Sequence, residues 1–151
     1  MEKNKSITIE KTFNLAVKNH QEGKTDIAQE LYNQVLKIDP NHSQSLNNIA
    51  IIFTNLKDYQ KAINTYEKAI AIDSNYTDAH SNLGIIFKEL GEIEKAKSYF
   101  EKAIELDPLN KKYMVGYGYI LLRLNDKLKG YEYIDKVEGV IKFTPTYYKI
   151  I

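Results

Sequence analysis

An all-α solenoid of stacked helix pairs is the fold class this sequence predicts, and three observations predict it. The 151 residues fall into rows of 34 that begin at Ile9, Ser43, Thr77 and Lys111. Within each row, apolar residues recur at steps of three and four, the period of a helix and not of a strand. The same small residues then return at the same places in every row. Self-similarity at a period of this length is the mark of a repeat architecture.

The totals agree with a soluble globular chain and narrow its partners. The hydrophobic share is 43% and the charged share 27%, both ordinary for a packed domain. A net charge of +1 gives no broad field for nucleic acid or an anionic membrane. Arg123 is the only arginine, and arginine is the residue that reads phosphates and base edges in bidentate fashion. With no cysteine there is no disulfide framework, thiolate metal site or thiol nucleophile. The start, MEKNKSITIE, has no apolar run after its charges, and no stretch approaches a membrane span. A cytoplasmic protein is the expectation.

Taken in order, residues 1–8 are expected to be a flexible N-terminus, with Ser6 or Thr8 placed to cap the first helix. Four rows follow, 9–42, 43–76, 77–110 and 111–138. Each divides into two helices. In the third row, the first helix runs from about Thr77 to Leu90 and Gly91 breaks it. The second runs from about Ile93 to Leu106, and Asp107–Pro108 end it. The small residues Ala16, Ala50, Gly84 and Gly118 on the first helices match Ala28, Ala62, Ala96 and Gly130 on the second. Without bulk at these places, the two helices of a row pack closely as an antiparallel pair. Between the small columns run larger ones: Leu15, Ile49, Leu83 and Tyr117, then Tyr32, Tyr66, Phe100 and Ile134. The tail, 139–151, is rich in β-branched and aromatic residues and holds Pro145, so it is expected to be extended. Three roles stand open for it: folding over the last pair, leading into a longer chain, or meeting a second copy.

The third row resembles the tetratricopeptide repeat. It carries His80, Leu83–Gly84, Phe87, Ala96, Phe100 and Pro108 at that family's spacing, on that family's period of 34. Rows one and two match less fully, with Thr12 and Asn19 where large apolar residues are usual. Row four departs later, with Gly130 in place of Ala and Lys142 in place of Pro. The resemblance implies a right-handed superhelix of three full repeats and a degenerate fourth, its first helices lining the concave side. It also implies a protein-interaction scaffold and not a catalyst.

On that concave side, helical spacing puts Asn14, Asn48 and Asn82 in one stripe and Val17, Ile51, Ile85 and Tyr119 in another. Gln44, Asn47 and Asn55 flank them in row two. An amide offers one acceptor and two donors, the complement of a peptide main chain. The stripe therefore suits an extended peptide held by its backbone, with the apolar stripe taking alternate side chains. It resembles the asparagine ladder of O-GlcNAc transferase and related bacterial repeat proteins. The alternatives for the Asn stripe are that it is simply polar groove surface or bonds to a neighbouring helix, and for the apolar stripe, core packing. A carboxylate clamp for chaperone tails matches poorly. Its places are held here by Phe13, Val17, Asn48, Asp78 and Asn82, and only Asn48 fits.

Enzymatic motifs are missing from the sequence. His20 and His42 fall near helix ends, His80 falls in a packing column, and none is spaced for a metal. No cofactor is expected. The expected function is a non-catalytic scaffold for a peptide or protein segment. The alternatives are the recognition arm of a larger bacterial glycosyltransferase or sulfotransferase, and a self-assembly module joined through the tail.

Overall fold

The computed structural model describes residues 2–138, and among them it contains eight helices and no strand. They are α1 (Glu2–Gln21), α2 (Thr25–Ile38), α3 (Ser43–Asn55), α4 (Tyr59–Ile72), α5 (Thr77–Glu89), α6 (Ile93–Leu106), α7 (Lys111–Arg123) and α8 (Lys127–Glu138). Each row of the sequence is thus one antiparallel pair. The expectations for the tail fall on 139–151, outside the described residues.

Every pair turns in the same way. The second residue after each first helix sits in the left-handed region: Gly23 (φ 74°), Lys57 (59°), Gly91 (78°) and Asn125 (64°). Paired backbone bonds close each turn, as where Glu92 N–H donates to Phe87 O and Gly91 N–H to Lys88 O. This Schellman arrangement favours Gly at the left-handed position. Lys57 and Asn125 fill it with a Cβ, which costs about 1 kcal/mol for an ordinary side chain. Lys57→Gly is therefore expected to raise stability by about 0.5–1 kcal/mol, read as a rise of a few degrees in Tm. An unchanged or lower Tm would show that Lys57 holds the turn by other means.

The helix starts use different caps. Asp58 accepts from Lys61 N–H at 3.3 Å, and Asn110 accepts from Lys112 N–H at 3.2 Å. At α3 the cap is His42, whose Nδ1 accepts from Ser45 N–H at 3.2 Å and lies 3.0 Å from Ser45 Oγ. Only the neutral ring can accept there. Burial lowers the pKa of His42, with Asp39 opposing the shift. The unfolded chain thus binds this proton more readily, so the cap's contribution is present above about pH 6.5 and lost as pH falls. His42→Ala should cost about 1 kcal/mol at neutral pH, and that difference should shrink below pH 6. Urea unfolding of both chains across this range measures it; a pH-independent gap would remove the cap.

One expectation for the N-terminus needs correction. Ser6 and Thr8 are not at a cap position, because α1 already begins at Glu2. The segment has no Gly or Pro to stop a helix, and Thr8 Oγ1 donates back to Asn4 O at 2.8 Å, a bond made inside a helix and not at a cap.

The core runs along the seams between pairs. Tyr32, Tyr66 and Phe100 are at most 1% exposed, and Ile52, Leu83, Ile86 and Ile120 are fully buried. Leu15 departs from its column. It is 49% exposed, whereas Ile49 and Leu83 are 5% and 0% exposed. This column packs against the preceding pair, and no described helix lies on that side of α1. The same face of α1 carries Lys11 and Lys18, at the places of Ser45 and Ile52 in the next row, both wholly buried.

The pairs stack in chain order. α3 touches α5, and α5 touches α7, whereas no two second helices pack comparably. First helices therefore line the shorter, inner side of the array. The two predicted stripes lie on these first helices.

Candidate functional site

The ladder is best read from its seams, because each seam brings a second helix beneath the next first helix. At the first seam, Asn48 Nδ2 on α3 donates to Tyr32 Oη on α2 at 3.1 Å. Asn48 Oδ1 accepts from Asn47 Nδ2 at 3.4 Å. Tyr32 Oη lies 3.5 Å from His20 Nδ1 on α1. With its Nε2 protonated, His20 receives the tyrosine proton, and one chain of bonds runs Asn47, Asn48, Tyr32, His20. Burial lowers the pKa of His20, which favours the neutral ring this chain uses. The Asn48 amide is thereby fixed, its oxygen toward Asn47 and its nitrogen toward Tyr32. One N–H and one lone pair remain for another group.

The second seam sets the same residue types beside one another. Asn82 and Thr54 meet the Tyr66 hydroxyl, whose pKa burial pushes up to about 12 while both partners pull it back. At the third seam both members are lost together. Phe100 takes the tyrosine's place without a hydroxyl, and Gly116 takes the asparagine's. A Cβ on Gly116 would lie 2.4 Å from Phe100 Cε1, so the ring occupies the room an Asn would need. The amide rungs thus belong to the α1–α5 half of the groove. Asn14 is exposed on α1 and has no second helix beneath it among the described residues.

The other predicted residues divide. Gln44 and Asn55 are exposed on α3, and Tyr119 is 52% exposed on α7. Val17, Ile51 and Ile85 are half-buried, and Ile51 and Ile85 pack on the core as well as facing the groove. Asn47 is a correction. It is 4% exposed, so its side chain is not a groove contact. Its column points across the seam, as Phe13 shows by lying 4.9 Å from the His42 ring of the next pair. Asn47 instead holds Asn48 in place. Ser81, in the same column, is fully buried too.

Between α1 and α3 the groove deepens into a pocket of about 280 Å³, lined by Val17, His20, Gln21, Tyr32, Asn48 and Ile51. Three of these six residues belong to the predicted stripes. The pocket has two apolar walls, Val17 and Ile51, and a polar end made by the hydrogen-bonded chain. Sequence reasoning missed Tyr32 and His20. Tyr32 was legible only as a core residue, and the signal that links it to the ladder is the joint loss of hydroxyl and amide in row four's seam. Among the described residues no cluster of three metal-binding side chains occurs, and no helix is long and apolar enough to cross a membrane.

Models of the tetratricopeptide repeat match residues 13–42, 31–64, 52–91 and 77–110, which together run without a gap from 13 to 110. A curated protein named ycf37 from Pyropia yezoensis is 43% identical over 44 residues, 29% of this chain. The matched part is about a quarter of that relative's length. Among solved structures, PilF of Pseudomonas aeruginosa superposes with a TM-score of 0.81 at 22% identity, over 95% of this chain and 65% of that one. The first repeat domain of Spaghetti (RPAP3), bound to the HSP90 peptide SRMEEVD, gives 0.73 at 27% identity, over 80% and 95%. O-GlcNAc transferase of Thermobaculum terrenum gives 0.73 at 23% identity, over 78% of this chain and 22% of the enzyme. The last two likenesses pair a peptide-bound array with an array carried by an enzyme.

Proposed function

Because this chain belongs to the tetratricopeptide repeat family, a family of protein-interaction scaffolds, we propose that its concave groove holds a partner segment in extended form, gripped by the main chain. The observation that carries this is the Asn48 amide, held by Tyr32 and Asn47 with one donor and one acceptor left for another group. Asn82 stands one repeat further on over Tyr66, and exposed Asn14 one repeat before. An extended chain presents its N–H and C=O groups in a repeating order that such amides match. Each contact is worth about 0.5–1.5 kcal/mol net, so a useful affinity needs several rungs. The half-buried Val17, Ile51 and Ile85 lie beside the rungs and supply preference for apolar side chains. No catalytic role is assigned, and a cytoplasmic setting fits the absence of cysteine.

The RPAP3 array shows that a related fold can hold a peptide, but the acidic-tail clamp is not proposed here. Asp78 adds a negative charge to the groove where a clamp needs a positive one. A second reading, the recognition arm of a larger enzyme, is favoured by one observation: the match to the transferase covers only its repeat portion, 22% of that chain. The full reading frame tests it, and a stop codon directly after Ile151 would end it.

Selection from a random peptide display library against the full chain tests the groove. Enriched peptides should lose binding when Asn14, Asn48 and Asn82 are all replaced by Ala. Binding that survives the triple replacement would place the peptide elsewhere.

A further inference from the structure

The geometry points to the pocket between α1 and α3 as the anchor site of the bound segment, built for one uncharged apolar side chain. This rests on the reading of the groove as a main-chain binder and adds which residue of the segment carries selectivity, and where. Val17 on α1 and Ile51 on α3 give the pocket its apolar lining, and the hydrogen-bonded Asn48, Tyr32 and His20 line it too. Tyr32 is fully buried, and both it and Asn48 line the pocket. A segment whose backbone meets Asn48 therefore has its neighbouring side chain directed between the two walls. A charged side chain there would lose its hydration with no opposite charge among the six lining residues, an unfavourable exchange. An aliphatic or aromatic side chain gains by burial. Tyr32 acts as a positioning residue, since its hydroxyl holds the amide and does not itself need to meet the peptide.

A host–guest series tests this on the full chain by NMR titration. The probes are acetylated, amidated Ser-Gly peptides with one central guest, Gly, Leu, Phe, Asp or Lys. Leu and Phe should bind roughly tenfold tighter than Gly, and Asp and Lys no tighter than Gly. The Leu and Phe guests should shift the Val17 and Ile51 methyl signals and the Asn48 side-chain amide. Tyr32→Phe keeps the fold, because Phe100 fills the same place in the third repeat. It should weaken all guests by a similar factor while leaving their order unchanged. If every guest binds equally with shifts at Asn48 and Asn82, the anchor is wrong and the ladder stands. If Leu and Phe shift Val17 and Ile51 but Asn48→Ala changes nothing, the anchor stands and the main-chain grip is wrong. If no guest binds, or Asp or Lys binds best, the anchor is overturned.

Discussion

Ala at Asn14, Asn48 and Asn82 together is expected to weaken a groove-bound peptide by at least about tenfold while the helices persist. The size follows from three lost amide contacts at about 0.5–1.5 kcal/mol each. The persistence follows from two opposing terms. Each Asn→Ala gains about 0.6 kcal/mol of helix propensity. Against it stands the hydrogen bond to the tyrosine below, about 1 kcal/mol where that hydroxyl is buried. At the first seam Tyr32 still has His20 within 3.5 Å. At the second, Tyr66 still has Thr54. Neither hydroxyl is orphaned, so the melting temperature should move by only a few degrees. Circular dichroism and calorimetry read the fold, and fluorescence anisotropy reads the peptide. A sharp loss of stability with binding intact would make the Asn residues struts between helices and nothing more.

The largest effect on stability is expected at Gly118, and it runs against propensity. Ala is about 1 kcal/mol better than Gly inside a helix. Yet a Cβ on Gly118 would lie 2.9 Å from Gly130 O and 2.8 Å from Ile134 Cγ1. A Cβ on Gly130 would lie 3.0 Å from Gly118 O and 2.8 Å from Leu122 Cδ2. The opposing atoms include backbone on both sides, which cannot rotate away. Gly118→Ala should cost about 1–3 kcal/mol by overpacking, and Gly130→Ala should do likewise although Ala is the residue of the other three repeats. Since each repeat contacts only its neighbours, the loss should open the α7–α8 pair first. Amide hydrogen exchange should show protection falling there and held in α3–α6. Gly84→Ala is the control. The three atoms nearest its Cβ would all belong to the Phe100 ring, the first at 2.8 Å, and Ala50 beside Tyr66 shows that the ring can give way. Equal losses at Gly84 and Gly118 would contradict this account of the last pair.

The helix pairs were legible in the sequence because their requirements are local and repeated. Ala28, Ala62 and Ala96 recur where helices must approach, and Gly23 and Gly91 recur where the chain turns left-handed. The candidate site was only half legible. Period and helical spacing place Asn48, Ile51 and Val17 on one face, and the structure brings all three to one pocket. The same spacing put Asn47 beside them, yet it is buried. One residue's turn about the helix axis separates groove from seam, and only the neighbouring pair decides where that border falls.

By itself, then, the sequence determined the repeat, its two helices, their close-packed columns and the stripe of asparagines, since each depends on residues a few positions apart or on a fixed period. The tertiary structure alone decided that Tyr32 reaches Asn48 and that Phe100 fills the room left by Gly116. It also decided that Lys11 and Lys18 stand exposed where the next row has buried Ser45 and Ile52, and that the α7–α8 pair meets backbone to backbone. These are contacts between helices of different pairs, or distances of tenths of an ångström within one. Their outcome depends on how the stacked pairs share space, and no residue carries that information alone.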